Sequence, residues 1–210
     1  MLFEFDKDMA EKYGAPLGGV DEAGRGPLAG PVFAAAVILP PDIEIKGLND
    51  SKKLTAAKRE SLFDEIINKS IACAVSNVGE EDIDNFNILN CSMTAMAMAV
   101  EQIDTAPAVV LIDGNRAPKL PCVTIPVIKG DAKSAAVAAA SILAKVSRDR
   151  YMLQLAEQYP QYGFELHKGY PTKMHYERIL QHGISPVHRV TFLKNIDEKR
   201  REYDEKGPLW

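Results

Sequence analysis

Two short apolar runs meet across a stretch that neither can bury. Leu17-Gly18-Gly19-Val20 and Pro31-Val32-Phe33-Ala34-Ala35-Ala36-Val37-Ile38-Leu39 each have the length and composition of a buried strand, the second closed by Pro40-Pro41. Between them stands Asp21-Glu22-Ala23-Gly24-Arg25-Gly26-Pro27. The chain is thereby committed to a strand pair joined through a glycine loop that opens on two adjacent carboxylates. Such carboxylates are costly to bury unless positive charge offsets them. A divalent metal is one source of that charge, and a loop free of bulky side chains lets a ligand's backbone approach it. The combination points to phosphate chemistry rather than to a structural turn.

Further strands and helices alternate along the 210 residues. Thr55 to Asn68 has helical spacing, with Leu62, Phe63 and Ile66 on one side and Thr55 as cap. Ile71 to Val78 reads as a third strand and Asp84 to Ile103 as a helix with Met93, Met96 and Val100 facing the core. Strands follow at Ala108 to Gly114 and Val123 to Ile128, then an alanine-rich helix from Ser134 to Tyr159. This alternation predicts a sheet covered by helices, an α/β fold. After Pro160 the sequence is loopier and more basic, with short helical pieces near Tyr176 to Gln181 and Lys194 to Glu205. One domain is expected over 1–210, with a core over about 1–160 and a C-terminal part over about 161–210. The net charge of −4 argues against a protein that coats nucleic acid by charge alone. Cys73, Cys91 and Cys122 read as reduced core thiols of a cytoplasmic protein, and neither a signal block nor a membrane-spanning run is apparent.

Asp21 and Glu22 end one strand, Asp113 ends another, and Asp131 precedes the long helix. Ligands of open α/β sheets gather at the carboxyl ends of strands, which makes these acids candidates to converge. Strand neighbours point to opposite faces, so Asp21 and Glu22 are expected to share a site only if the strand breaks there. Clustered acids repel unless cations sit among them, and an all-oxygen set suits magnesium or manganese. Taken singly, Asp131 reads equally as a helix cap and Asp113-Gly114 as an ordinary turn. Asp149, four residues after Lys145, reads as a helix-face ion pair.

The ordered motifs resemble bacterial ribonuclease HII. They are Asp21 to Pro27, Asp50-Ser51-Lys52-Lys53-Leu54, Ile112-Asp113-Gly114, Lys129-Gly130-Asp131-Ala132, Ala139 to Asp149, His167-Lys168-Gly169-Tyr170-Pro171-Thr172 and Ser185-Pro186-Val187-His188-Arg189. The resemblance spans Gly18 to Phe192. It implies an RNase H-like fold, a mixed five-stranded sheet flanked by helices, with a helical C-terminal extension. It also implies an endonuclease that cuts the RNA strand of RNA-DNA hybrids and incises duplex DNA at embedded ribonucleotides. Asp21, Glu22, Asp113 and Asp131 would bind Mn2+ or Mg2+, and Gly24, Arg25, Gly26 and Tyr170 would read the junction between a ribonucleotide and the next deoxynucleotide. Lys52, Lys53, His188 and Arg189 are further candidates for substrate contact. A monomer without obligate protein partner is expected, and Gly207-Pro208-Leu209-Trp210 shows no clamp-binding consensus.

Two other classes compete. Gly24, Gly26 and Gly30 superficially match a dinucleotide fingerprint, but the spacing is off by one and the loop leads into a strand rather than a helix. A non-catalytic nucleic-acid-binding module would be repelled from its ligand by the acids. His167, His175, His182 and His188 lack zinc spacing and are expected in loops or on the surface.

Overall fold

The computed structural model describes residues 2–49, 51–196, 198–199 and 201. Five strands, β1 (Leu17–Ala23), β2 (Val32–Ile38), β3 (Ala72–Val78), β4 (Val109–Asp113) and β5 (Val123–Val127), form one sheet in the order β3-β2-β1-β4-β5. The pairs β1–β2 and β2–β3 are antiparallel, whereas β1–β4 and β4–β5 are parallel. The sheet is therefore mixed, and β1 lies at its centre, between a hairpin partner and a crossover partner.

Helices cover both faces. On one, α4 (Ile88–Glu101) closes a core that includes Val20, Ala34, Ala36, Met96, Val110 and Ile112. On the other, α5 (Ala135–Gln158) lies against Ala35 and Val37, with α2 (Ala56–Lys69) supplying Leu62, Phe63 and Ile66 to the same cluster. The alanine run explains how close α5 comes. A Cβ on Gly19 would overlap the Ala136 backbone, so helix and strand touch main chain to main chain. The expected caps are in place where side-chain oxygens meet free N–H groups: Thr55 accepts from Lys58 N–H at 3.2 Å, and Ser134 accepts from Val137 N–H at 3.1 Å.

Two expectations are corrected. The helix read over Asp84 to Ile103 is two, α3 (Glu80–Phe86) and α4, divided at Asn87, whose φ of 65° breaks the first helix while its side chain caps the second. An N-terminal helix, α1 (Leu2–Tyr13), was not expected; Asp6 ties it to α5 by accepting from Ala136 N–H at 2.8 Å. Beyond α5, α6 (Phe164–His167) and α7 (Lys173–His182) pack with Leu28, Ala29, Met152 and Leu155 around Tyr162 and Phe164. Half of the helical piece expected over Lys194 to Glu205, and all of Gly207 to Trp210, lie outside the described residues, as does Asp50.

Candidate active site

The carboxylates assemble at one end of the central strands. β1 does not break at its acids: its pairing with β2 continues to Ala23 opposite Phe33, and Asp21 and Glu22 face Ala35 and Ala34. Successive side chains leave opposite faces, yet both acids lie within the field of Asp113 at the end of the neighbouring β4. Burial pushes the Asp21 carboxyl well above its usual range, and the charges of Glu22 and Asp113 push it the same way. Glu22 is also raised, by burial first, with Arg25 opposing and Asp113 adding. Asp21 is 4% exposed and is braced by Ser141 of α5, which in turn shares a 2.8 Å hydrogen bond with Ser51.

Asp131 is buried in a 3-10 turn, Gly130–Ala132, rather than capping α5, a task that falls to Ser134. The preceding Gly130 N–H donates to Asp113 Oδ1 at 2.7 Å, so this turn and the end of β4 are fixed to one another. Lys52 Nζ stands 4.0 Å from Asp131 Oδ2, with the lysine side chain 79% exposed. Among the described residues, no three acidic, histidine or cysteine side chains stand at finished ligand spacing. The donor set nonetheless fits a hard divalent cation. It offers only oxygen, Asp21 and Asp131 are buried with Glu22 and Asp113 half-buried, and the mutual repulsion of Asp21, Glu22 and Asp113 is what such an ion relieves.

Beside the acids, the glycine loop is held from behind by two buried guanidinium groups. Arg189 donates five hydrogen bonds, 2.6–3.3 Å, to the carbonyls of Gly24, Arg25, Pro27 and Gly30. Arg148 of α5 donates to the carbonyls of Ala29, Pro31 and Lys168 at 3.1–3.3 Å. Gly24 has φ +99°, and a Cβ there would overlap Arg148 Nε, so no other residue fits against that guanidinium. The loop's outer side stays open: Arg25 is half exposed, with Nη1 3.3 Å from Glu22 Oε1. Tyr170 lies across from Gly26, where a Cβ would be 4.0 Å from its Cε1, with Arg148 and Lys145 at 5.7 and 5.8 Å from its ring centre. The bond from Leu28 N–H to the Gly169 carbonyl, 2.8 Å, joins the two segments directly.

The structure thus brings together Asp21, Glu22 and Asp113, ties the Asp131 turn to Asp113, and sets Gly24, Arg25 and Gly26 beside Tyr170. Lys52 approaches Asp131, and Lys53 is an exposed neighbour of Lys52. His188 and Arg189 are buried, at 2% and 0% exposure, and Arg189 is committed to loop carbonyls. His167 and His175 are likewise buried instead of at the surface, while His182 is exposed. Asp149 pairs with Lys145 at 2.6 Å, as its spacing indicated. Arg148 and Ser141 were missed as supporting residues. Their seven-residue separation puts polar groups on the same face of an otherwise alanine-rich helix, a signal that was available.

Comparison with known proteins agrees with this geometry. The family model for ribonuclease HII matches residues 18–195. A ribonuclease HII of Marinomonas sp. (strain MWYL1) is 57% identical over 181 residues, covering 86% of this chain and 91% of the relative. That of Caldicellulosiruptor saccharolyticus is 51% identical over 194 residues, 92% of this chain and 95% of the relative. Among solved structures, the ribonuclease H2 of Pyrococcus horikoshii OT3 superposes with a TM-score of 0.73 at 30% identity, covering 89% of this chain and 99% of that one. With its mixed sheet, its clustered carboxylates and relatives more than half identical along nearly their whole length, the chain belongs to the ribonuclease HII family and is a ribonuclease H, a hydrolase.

Proposed function

We propose that this enzyme cleaves the RNA strand of RNA-DNA hybrids and incises duplex DNA at embedded ribonucleotides, leaving 5'-phosphate and 3'-hydroxyl ends. The observation that carries the reading is the adjacency of two parts: buried and half-buried carboxylates at the ends of β1 and β4, and a glycine-flanked loop facing Tyr170. Asp21, Glu22, Asp113 and Asp131 are the residues that would hold Mn2+ or Mg2+. A divalent ion in that position supplies positive charge to offset the acids and the charge that develops on the phosphate oxygens.

The remaining work belongs to the chain's own groups. Gly24 and Gly26 expose main chain to the sugar edge, where a 2'-hydroxyl can both donate and accept a hydrogen bond. Arg25, half exposed beside Glu22, holds phosphate alongside with a planar donor fork. The Tyr170 ring packs on the sugar of the following nucleotide, favouring a deoxyribose over a ribose, whose extra oxygen crowds the ring. Lys52 and Lys53 extend positive charge along the strand's path. In this reading residues 1–160 form the catalytic core and 161–210 the substrate-contacting part of one domain, acting as a monomer in the cytoplasm.

The test is a labelled DNA duplex carrying one ribonucleotide, incubated with magnesium or manganese in turn. Incision at the ribonucleotide with the all-DNA strand intact is expected. Cleavage of an all-DNA duplex at a comparable rate, or no metal dependence, would overturn the proposal.

A further inference from the structure

Tyr170 is held in place by side chains that do not reach the open side of the loop. Its N–H donates to the His167 carbonyl at 2.9 Å, and its carbonyl accepts from Thr172 N–H at 2.8 Å. The same carbonyl lies 3.0 Å from Nδ1 of His175, which is fully buried on α7. Behind His175 stands His188, the two Nε2 atoms 3.1 Å apart, and His167 stacks on His175 with ring centres 4.3 Å apart. A buried imidazole is costly unless each ring nitrogen has a partner of the right kind.

The fixed donors assign those kinds. Ser185 N–H donates to His188 Nδ1 at 3.0 Å, so the proton of neutral His188 is on Nε2. That proton points at His175 Nε2, which accepts it, and the His175 proton is therefore on Nδ1, donating to the Tyr170 carbonyl. His167 is set the same way: Gly169 N–H donates to its Nδ1 at 3.2 Å, and its Nε2 faces the Tyr162 carbonyl at 3.0 Å. Every ring nitrogen of the trio is thus matched, in one direction only, and the chain of bonds ends on the residue opposite Gly26.

We propose that His175, oriented by His188, is a positioning residue for Tyr170 and thereby sets discrimination at the ribonucleotide-deoxyribonucleotide junction without touching substrate. The proposal rests on the reading of Tyr170 given above. A trio serving only to pack α7 would need shape but no particular donor at Nδ1. Burial supports the neutral relay, pushing His175 down to about 3 and His188 down to about 4.

The experiment compares His175→Phe, which keeps a ring in the stack but has no donor, with His175→Asn, whose amide can donate near the Nδ1 position. Cleavage of a single embedded ribonucleotide is measured against a long hybrid, and the Tyr170 ring resonances are followed in tyrosine-labelled protein, assigned with Tyr170→Phe. His175→Phe is expected to shift those resonances and to lower kcat/KM on the single ribonucleotide roughly tenfold relative to the hybrid, about the value of one hydrogen bond. His175→Asn should restore most of both. If His175→Phe does not fold, His188→Leu against His188→Gln removes and keeps the second donor in the same way. Equal loss on both substrates with the Tyr170 resonances unmoved would overturn the proposal. Tyr170→Ala separates the two ideas: equal loss there refutes the junction reading, while the resonances still decide whether His175 places the ring.

Discussion

Asp21 is where activity and stability pull apart. Its carboxyl is raised by burial, by Glu22 and by Asp113, so ionising it at neutral pH works against the folded state. A carboxyl whose folded pKa is raised binds its proton more tightly folded than unfolded. It therefore destabilises in full above that pKa, and the penalty shrinks as pH falls from there to the ordinary carboxylate range of the unfolded chain. Asp21→Asn removes the charge while keeping the shape. The variant should melt higher than wild type without metal at pH 7, gain less from added magnesium or manganese, and lose more than about a hundredfold in turnover, beyond what outer-shell partners contribute. A lower metal-free melting temperature in a properly folded variant would contradict the repulsion. The acid pair was legible in sequence because two carboxylates after an apolar run have no cheap structural explanation. The buried histidines were not, since a lone histidine in a loopy segment carries no sign of which others will stack upon it.

Between residues and fold, the elements were readable wherever the local code was strong. The strands and α5 were found within a residue or two, because apolar runs and an alanine-rich pattern leave few alternatives. The break at Asn87 was hidden, since apolar residues keep helical spacing through it and only one side chain redirects the chain. Its carbonyl oxygen accepts from Leu89 and Asn90 N–H groups, both at 3.1 Å. Asn87→Ala removes that cap and places a Cβ-bearing residue without a compensating bond at positive φ, so a loss of about 1–2 kcal/mol in denaturant unfolding is expected. The helix α1 escaped notice because it buries no residue fully and docks through Asp6, a long-range contact that periodicity does not encode. The glycine loop is the opposite case. Its residues announced a close approach, but the partners, Arg148 and Arg189, come from 117 to 165 positions away. Gly24→Ala would drive a Cβ into Arg148 at φ +99°, and should lower both the melting temperature and the rate on every substrate. Unchanged melting would show that the arginine yields at no cost.

At the scale of the whole molecule, the part beyond α5 is braced internally by imidazoles that must stay neutral. His175 and His188 hold pKa values of about 3 and about 4 when folded against an ordinary 6.5, and burial leads the downward shift in both. Their contribution is therefore intact above pH 6.5 and is lost progressively as pH falls toward 4, because the unfolded chain takes up protons that the folded one refuses. The raised carboxyls of Asp21 and Glu22 act in the opposite sense over acidic pH, gaining stability as they protonate. The melting temperature of wild type alone mixes the two, so the histidines are isolated by difference. A His175→Asn/His188→Gln variant lacks imidazoles at both positions and keeps the donors. The melting temperature of wild type minus that of the variant should shrink as pH is lowered from 7 to about 4, and Asp21→Asn, deprived of the opposing carboxyl, should show a steeper acid loss than wild type. A difference that stays constant across that range would mean that the two histidines do not titrate with unfolding, and that the segment bearing Tyr170 is held by packing and by its main-chain and arginine bonds instead.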